Sequence, residues 1–353
     1  MGKIYTLQIL RAFAALCVVV SHVWGINGKI GKPLGFDYIG GYGVDIFFVI
    51  SGFIMCYTIK DVFDNPRRES FVFIAKRILR IYPVYLILAI PVIIYFSNLA
   101  IEAGKDVSLY MIIGNLLLLP TFTQNPSYHM YFYVAWSLCY EMMFYAVFAF
   151  IMLFTKNKNS LIAIMVVLLV SMVALVNTFK LQGKMLGWVN ITYMIGDSLM
   201  INFALGCIAF VIYRTYRNVS LKPIVSILIV AILFYIGIVN AQHQALRIFK
   251  FGIPSFLIVL TMLYTKIEDH YDDKVFTKFC IYLGNASYSI YLVHLYVVFI
   301  MPKIYTVTPL NKDITGAIMS VFAALMGCLF YSGIEKPLNK FIHLKIYTKL
   351  ARC

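Results

Sequence analysis

Arg11 and His22 lie within the first apolar stretch, LQILRAFAALCVVVSHVWG. Eleven positions apart, they are separated by three helical turns plus about 20°, which puts both side chains on one face, roughly 16 Å apart along the axis. Ionisable groups inside an apolar span are functional candidates by default. A histidine titrates near neutrality and is suited to taking a proton from a hydroxyl. An arginine is suited to an anionic or carbonyl-rich ligand. The alternative is a snorkelling arginine and an interfacial histidine without chemistry.

Other residue types of the same kind follow. Asp45, in GGYGVDIFFVISGF, falls in the outer turn of the second span, at the depth expected for His22. A carboxylate there either orients the imidazole, as in hydrolase triads, or caps its own helix. Ser51 and Gly52 are mid-span, where small residues serve close helix packing or the passage of a thin ligand chain. Arg77 and Arg80, in AKRILRIYP, share a face three residues apart. They read as a lipid-phosphate anchor or as a phosphate clamp for a nucleotide-bearing donor. Glu141, in AWSLCYEMMFY, is expected near mid-membrane, protonated or paired, with a structural pairing to Arg11 or a neighbour set against a catalytic role. His294, in SYSIYLVH, reads as an interhelical hydrogen bond, and Glu335 as the partner of a cytoplasmic cation. No GxSxG elbow or HExxH motif occurs. The seven cysteines form no CxxC pair and read as packing residues, so the chemistry is expected to need no metal.

These groups must be positioned by membrane helices. Of 353 residues, 62% are hydrophobic and 13% charged, against roughly half and a quarter in soluble domains. The expected fold is all-α, a polytopic transmembrane helical bundle. Ten spans are predicted at 7–24, 42–59, 79–97, 132–154, 160–177, 194–213, 222–239, 250–265, 281–301 and 314–333. The apolar piece 109–120 is too short to cross and is expected to be re-entrant or interfacial. The first stretch lacks a small-residue cleavage site and reads as a retained span. With the N-terminus placed in the cytoplasm, twenty of the 30 Lys and Arg fall inside and nine outside, which predicts both termini inside. The same loop bias accounts for the net charge of +15 better than nucleic-acid binding does. One membrane domain over 1–340 and a short basic tail over 341–353 are expected.

Taken jointly, R-x10-H (Arg11, His22), GVDIFFVISGF, RILRIYP, WSLCYEMMFY, SYSIYLVH and IEKP resemble the integral-membrane acyltransferase family 3, from residue 7 to about 340. The wording LQILRA and FFVISGFIM is similar to its exopolysaccharide and O-antigen O-acetyltransferase branch. The resemblance implies about ten spans in a bacterial inner membrane. It implies transfer of an acetyl or short acyl group from cytoplasmic acyl-CoA, with acetyl-CoA as co-substrate, to a hydroxyl of an envelope glycan or lipid-linked saccharide. Carried over, His22 is the essential histidine, and Arg11, Arg77 and Arg80 belong to the donor path. Asp45 and Glu141 join His22 in the expected catalytic set, and Ser51 joins the donor-binding set. Some members carry a fused hydrolase-like domain with a serine nucleophile; none is expected here after span ten. The rival reading is a transporter or flippase of a lipid-linked sugar, which would use intramembrane Arg, Glu and His as proton relays. Matching inverted halves, usual in transporters, are not found in the sequence.

Overall fold

A computed structural model describes residues 4–25, 29–122, 128–266, 275–308 and 310–347. The end of the basic tail and Lys3, Lys274, Lys349 and Arg352 of the charge pattern lie outside them. The described residues form helices and no β-strand, as a chain with few water-facing polar groups requires in lipid. Among the described residues, eight helices are long and apolar enough to cross a membrane. Two shorter apolar helices, Leu199–Thr215 and Ile248–Tyr264, fall on the spans expected at 194–213 and 250–265. The protein is a multi-pass, all-α membrane protein.

The chain divides into two compact units, Met1–Thr58 with Ile201–Gly333 and Ile59–Met200 with Ile334–Cys353. The first contains α1 (Tyr5–Val20), α2 (Phe36–Thr58), most of α8 (Leu199–Thr215), α9 (Pro223–Gln242), α10 (Ile253–Tyr264), α11 (Val275–Asn285), α12 (Ser287–Val307) and α13 (Lys312–Phe330). A row of residues running from α1 into the turn after it, Ala15, Val19 and Val23, packs into one apolar cluster with Ala286, Ile290, Val297 and Met301 and with Ala323 of α13. All are at most 3% exposed. The expected ninth span, 281–301, is interrupted: α11 ends at Asn285 and α12 begins at Ser287.

α1 and α2 run antiparallel with their backbones close. A Cβ on Gly40 would fall 2.7 Å from Ser21 Oγ, and one on Gly43 would collide with the Ala14 carbonyl oxygen. Glycine is required at both by this approach. Further along α2, Gly52 and Gly206 of α8 meet backbone to backbone. Gly52 therefore serves helix packing, and the half-buried Ser51 stands beside that contact.

The second unit contains α3 (Pro66–Glu102), α4 (Leu109–Leu117), α5 (Trp136–Met152), α6 (Lys158–Thr178), α7 (Ile191–Met194) and α14 (Lys336–Ile342). Asn65 caps α3 by accepting from the Arg68 amide, with Pro66 at the first helical position. The helix thus starts thirteen residues before the expected span at 79, and its 37 residues extend about 55 Å. Both arginines of RILRIYP sit inside a continuous helix. The apolar piece at 109–120 is the short α4, closed by Leu118 in the left-handed region (φ 54°). Its freed carbonyls are met by tyrosines: Tyr85 donates to Asn115 O (2.5 Å), Tyr82 to Leu117 O (2.6 Å) and Tyr128 to Leu119 O (2.5 Å). This is how an irregular backbone segment is satisfied where water is scarce.

Candidate active site

His22 sits just past the end of α1, where the helix loosens into a π turn over Ser21–Gly25. A π turn changes the angular step, so the side chain directions there depart from a straight 100° extrapolation. Next to Val23, His22 faces α12, and its Nδ1 lies 3.0 Å from His294 Nε2. The ring planes are 21° apart and the centroids 5.3 Å apart, so the two nitrogens face each other edge to edge. His294 is fully buried, and Tyr291, one turn earlier, has its ring 5.9 Å away. The interhelical hydrogen bond expected of His294 is thus made to the candidate base itself.

The π turn is pinned from α13. Asp313 accepts from Trp24 Nε1 (3.0 Å) and from the backbone amides of Lys29 (3.1 Å) and Ile30 (3.0 Å). Asn311 in turn caps α13 by accepting from the Asp313 amide. The chain just beyond His22 is therefore held at Trp24, Lys29 and Ile30.

Arg11 lies one turn before Ala15 and donates to Gln8 Oε1 at 3.3 Å. Between it and His22 stand Ala14, Ala15 and Val18, at most 1% exposed. The stretch joining the two polar groups is lined on α1 by small apolar side chains.

Asp45 takes a different place from the one expected. In the antiparallel register Gly40 is level with Ser21 and Gly43 with Ala14–Val18. Asp45, two residues past Gly43, therefore falls near Ala14, about 12 Å along the axis from the level of His22. It is fully buried and accepts from Arg247 Nη2 (2.5 Å), Arg247 Nε (3.2 Å) and Asn202 Nδ2 (2.6 Å). Arg247 also lies over the Phe251 ring, 5.9 Å from its centroid. The carboxylate placed by sequence beside the imidazole instead anchors a guanidinium from the segment before α10.

The second unit holds the other candidates. Ser70 Oγ donates to Ala149 O (2.6 Å), which sets α3 antiparallel to α5 and brings Arg77 to Tyr145. Arg77 is 9% exposed, and its guanidinium stands 5.3 Å from the centroids of both Phe73 and Tyr145. Arg80 is exposed, and it too acts electrostatically on the Tyr145 phenol. Glu141, one turn before Tyr145, accepts a hydrogen bond from its hydroxyl. Arg77, Arg80, Tyr145 and Glu141 form one cluster. A buried, ring-flanked guanidinium beside an exposed one can seat an anionic group.

Sequence reading left Arg247, Asn202, Tyr145 and Asp313 without roles. Asp313 carried a usable signal, an acidic residue following Asn311 at a helix start. The pairing of Arg247 with Asp45 spans 202 positions and had none.

A family model described as an acyltransferase domain matches residues 4–333. The O-acetyltransferase OatA of Staphylococcus aureus (strain NCTC 8325 / PS 47) is 26% identical over 94% of this chain and 56% of its own length. The exopolysaccharide production protein ExoZ of Rhizobium meliloti (strain 1021) is 27% identical over 85% of this chain and 90% of its own. The chain thus spans about half the length of OatA. No solved structure matches it.

Proposed function

The chain belongs to this acyltransferase domain family, and on that premise we propose that it is a membrane O-acetyltransferase for an envelope polysaccharide. The donor is cytoplasmic acyl-CoA, acetyl-CoA in the first instance. The acceptor is a sugar hydroxyl of a polymeric or lipid-linked saccharide, and the site of work is the bacterial inner membrane. The observation that carries this reading is the held imidazole of His22, within a chain whose family match also encloses the Arg77–Arg80–Tyr145 cluster.

In the reaction His22 removes the proton from the acceptor hydroxyl as its oxygen attacks the thioester carbonyl. The C–S bond of the tetrahedral adduct breaks, and the thiolate leaves with the proton from His22 as free CoA. Arg77 and Arg80 hold donor phosphates, with Tyr145 and Glu141 fixing the cluster. Arg11 contacts the pantetheine arm, whose extended length is comparable with the ~16 Å between Arg11 and His22. Asp45 supports this arrangement by holding Arg247.

The test is the glycan itself. Surface polysaccharide from an expressing strain should gain acetyl mass increments relative to a deletion strain, and NMR should assign them to a hydroxyl. An unchanged glycan with altered export would favour a transporter instead.

A further inference from the structure

Resting on that reading, we propose that His294 is a positioning residue that fixes the tautomer of His22 and makes its Nε2 the reactive nitrogen. A neutral imidazole has one N–H and one lone pair. The hydrogen bond between His22 Nδ1 and His294 Nε2, 3.0 Å long, therefore has a direction set by the far side of His294. There, Nδ1 is buried on α12 against the carbonyls of Ile290 and Tyr291, without completing a hydrogen bond of good geometry. Carbonyl oxygens are acceptors, so a hydrogen on Nδ1 suits that environment and a lone pair does not.

With the proton of His294 on Nδ1, its Nε2 accepts, and His22 Nδ1 must donate. The lone pair of His22 is then on Nε2. That nitrogen takes the acceptor proton, and the Nδ1–H bond to His294 strengthens as the imidazolium forms. The orienting work done by a carboxylate in hydrolase triads is done here by a second imidazole. Two features keep the pair in register. Val23 and Ile290 are packed in the same α1–α12–α13 cluster, and Asp313 holds Trp24 two residues beyond His22.

The experiment compares His294→Leu and His294→Gln with His22→Ala in purified, reconstituted protein supplied with acetyl-CoA and the acceptor glycan. Leu keeps volume and loses the acceptor; the Gln carbonyl can accept from Nδ1–H. Expected is a fall in kcat of about 10²- to 10⁴-fold for His294→Leu with KM for acetyl-CoA unchanged. His294→Gln should recover at least ~10-fold of that loss. Thermal unfolding of each variant separates a fold defect, which would raise KM and lower the transition together. If His22→Ala is inactive while His294→Leu turns over normally, the positioning role is wrong and the reading of the enzyme stands. A His294→Gln variant as inactive as His294→Leu, with both folded, overturns the tautomer assignment. An active His22→Ala sinks the reading of the site itself.

Discussion

Asp45 of α2 and Arg247, from the segment before α10, meet through 2.5 and 3.2 Å hydrogen bonds inside the first unit. The carboxylate is fully buried, and the guanidinium side chain is 18% exposed. Asn202 donates a third bond to the same carboxylate. A buried charge with one partner removed is costly, whereas removing both partners leaves no unpaired charge, only the Asn202 amide without its acceptor. Arg247→Leu should therefore destabilise the folded protein by about 3–5 kcal/mol, and the Asp45→Leu/Arg247→Leu double variant should recover much of it. Thermal unfolding in detergent measures both. An Arg247→Leu variant that melts with the wild type would show that the pair carries no such weight.

Arg77 is flanked by the Phe73 and Tyr145 rings. Loss of a charge-assisted contact to phosphate is worth about 1.5–3 kcal/mol, or roughly 10- to 150-fold in affinity. Arg77→Ala should raise KM for acetyl-CoA by that order and leave KM for the glycan nearly unchanged. Arg77→Lys should not restore it, because a lysine cannot reproduce the planar contact with two rings. Steady-state kinetics with each substrate varied in turn decides this. Equal loss for both substrates would make Arg77 a structural anchor only.

Asp313 ties Trp24 and the Lys29 and Ile30 amides to the start of α13. Asp313→Ala should speed hydrogen exchange at Lys29 and Ile30 and lower kcat through His22, with donor binding kept. Exchange unchanged at those amides would remove the latch from the account.

The all-α membrane fold was readable because apolar runs of span length have few alternatives in lipid. Boundaries were less so: charges before residue 79 hid the first thirteen residues of α3, which begins at a capped Pro66. At the site, His22 and Arg77 were visible as charged groups in apolar surroundings. Their partners were not, because register between helices is set by contacts invisible along one strand of sequence. Asp45 shows this best. Placing it by its count from the span's end put it level with His22, while the glycines at 40 and 43 let α2 slide against α1 to another depth. Glu141 was expected to be paired, and its hydrogen bond comes from Tyr145, a neighbour on its own helix.

The central claim is that His22 is the base of the transfer reaction. The direct measurement is turnover of purified His22→Ala with acetyl-CoA and glycan, alongside equilibrium binding of CoA to the same preparation. Transfer should fall by at least ~10²-fold with CoA affinity retained. Near-normal transfer by a folded His22→Ala protein would contradict it.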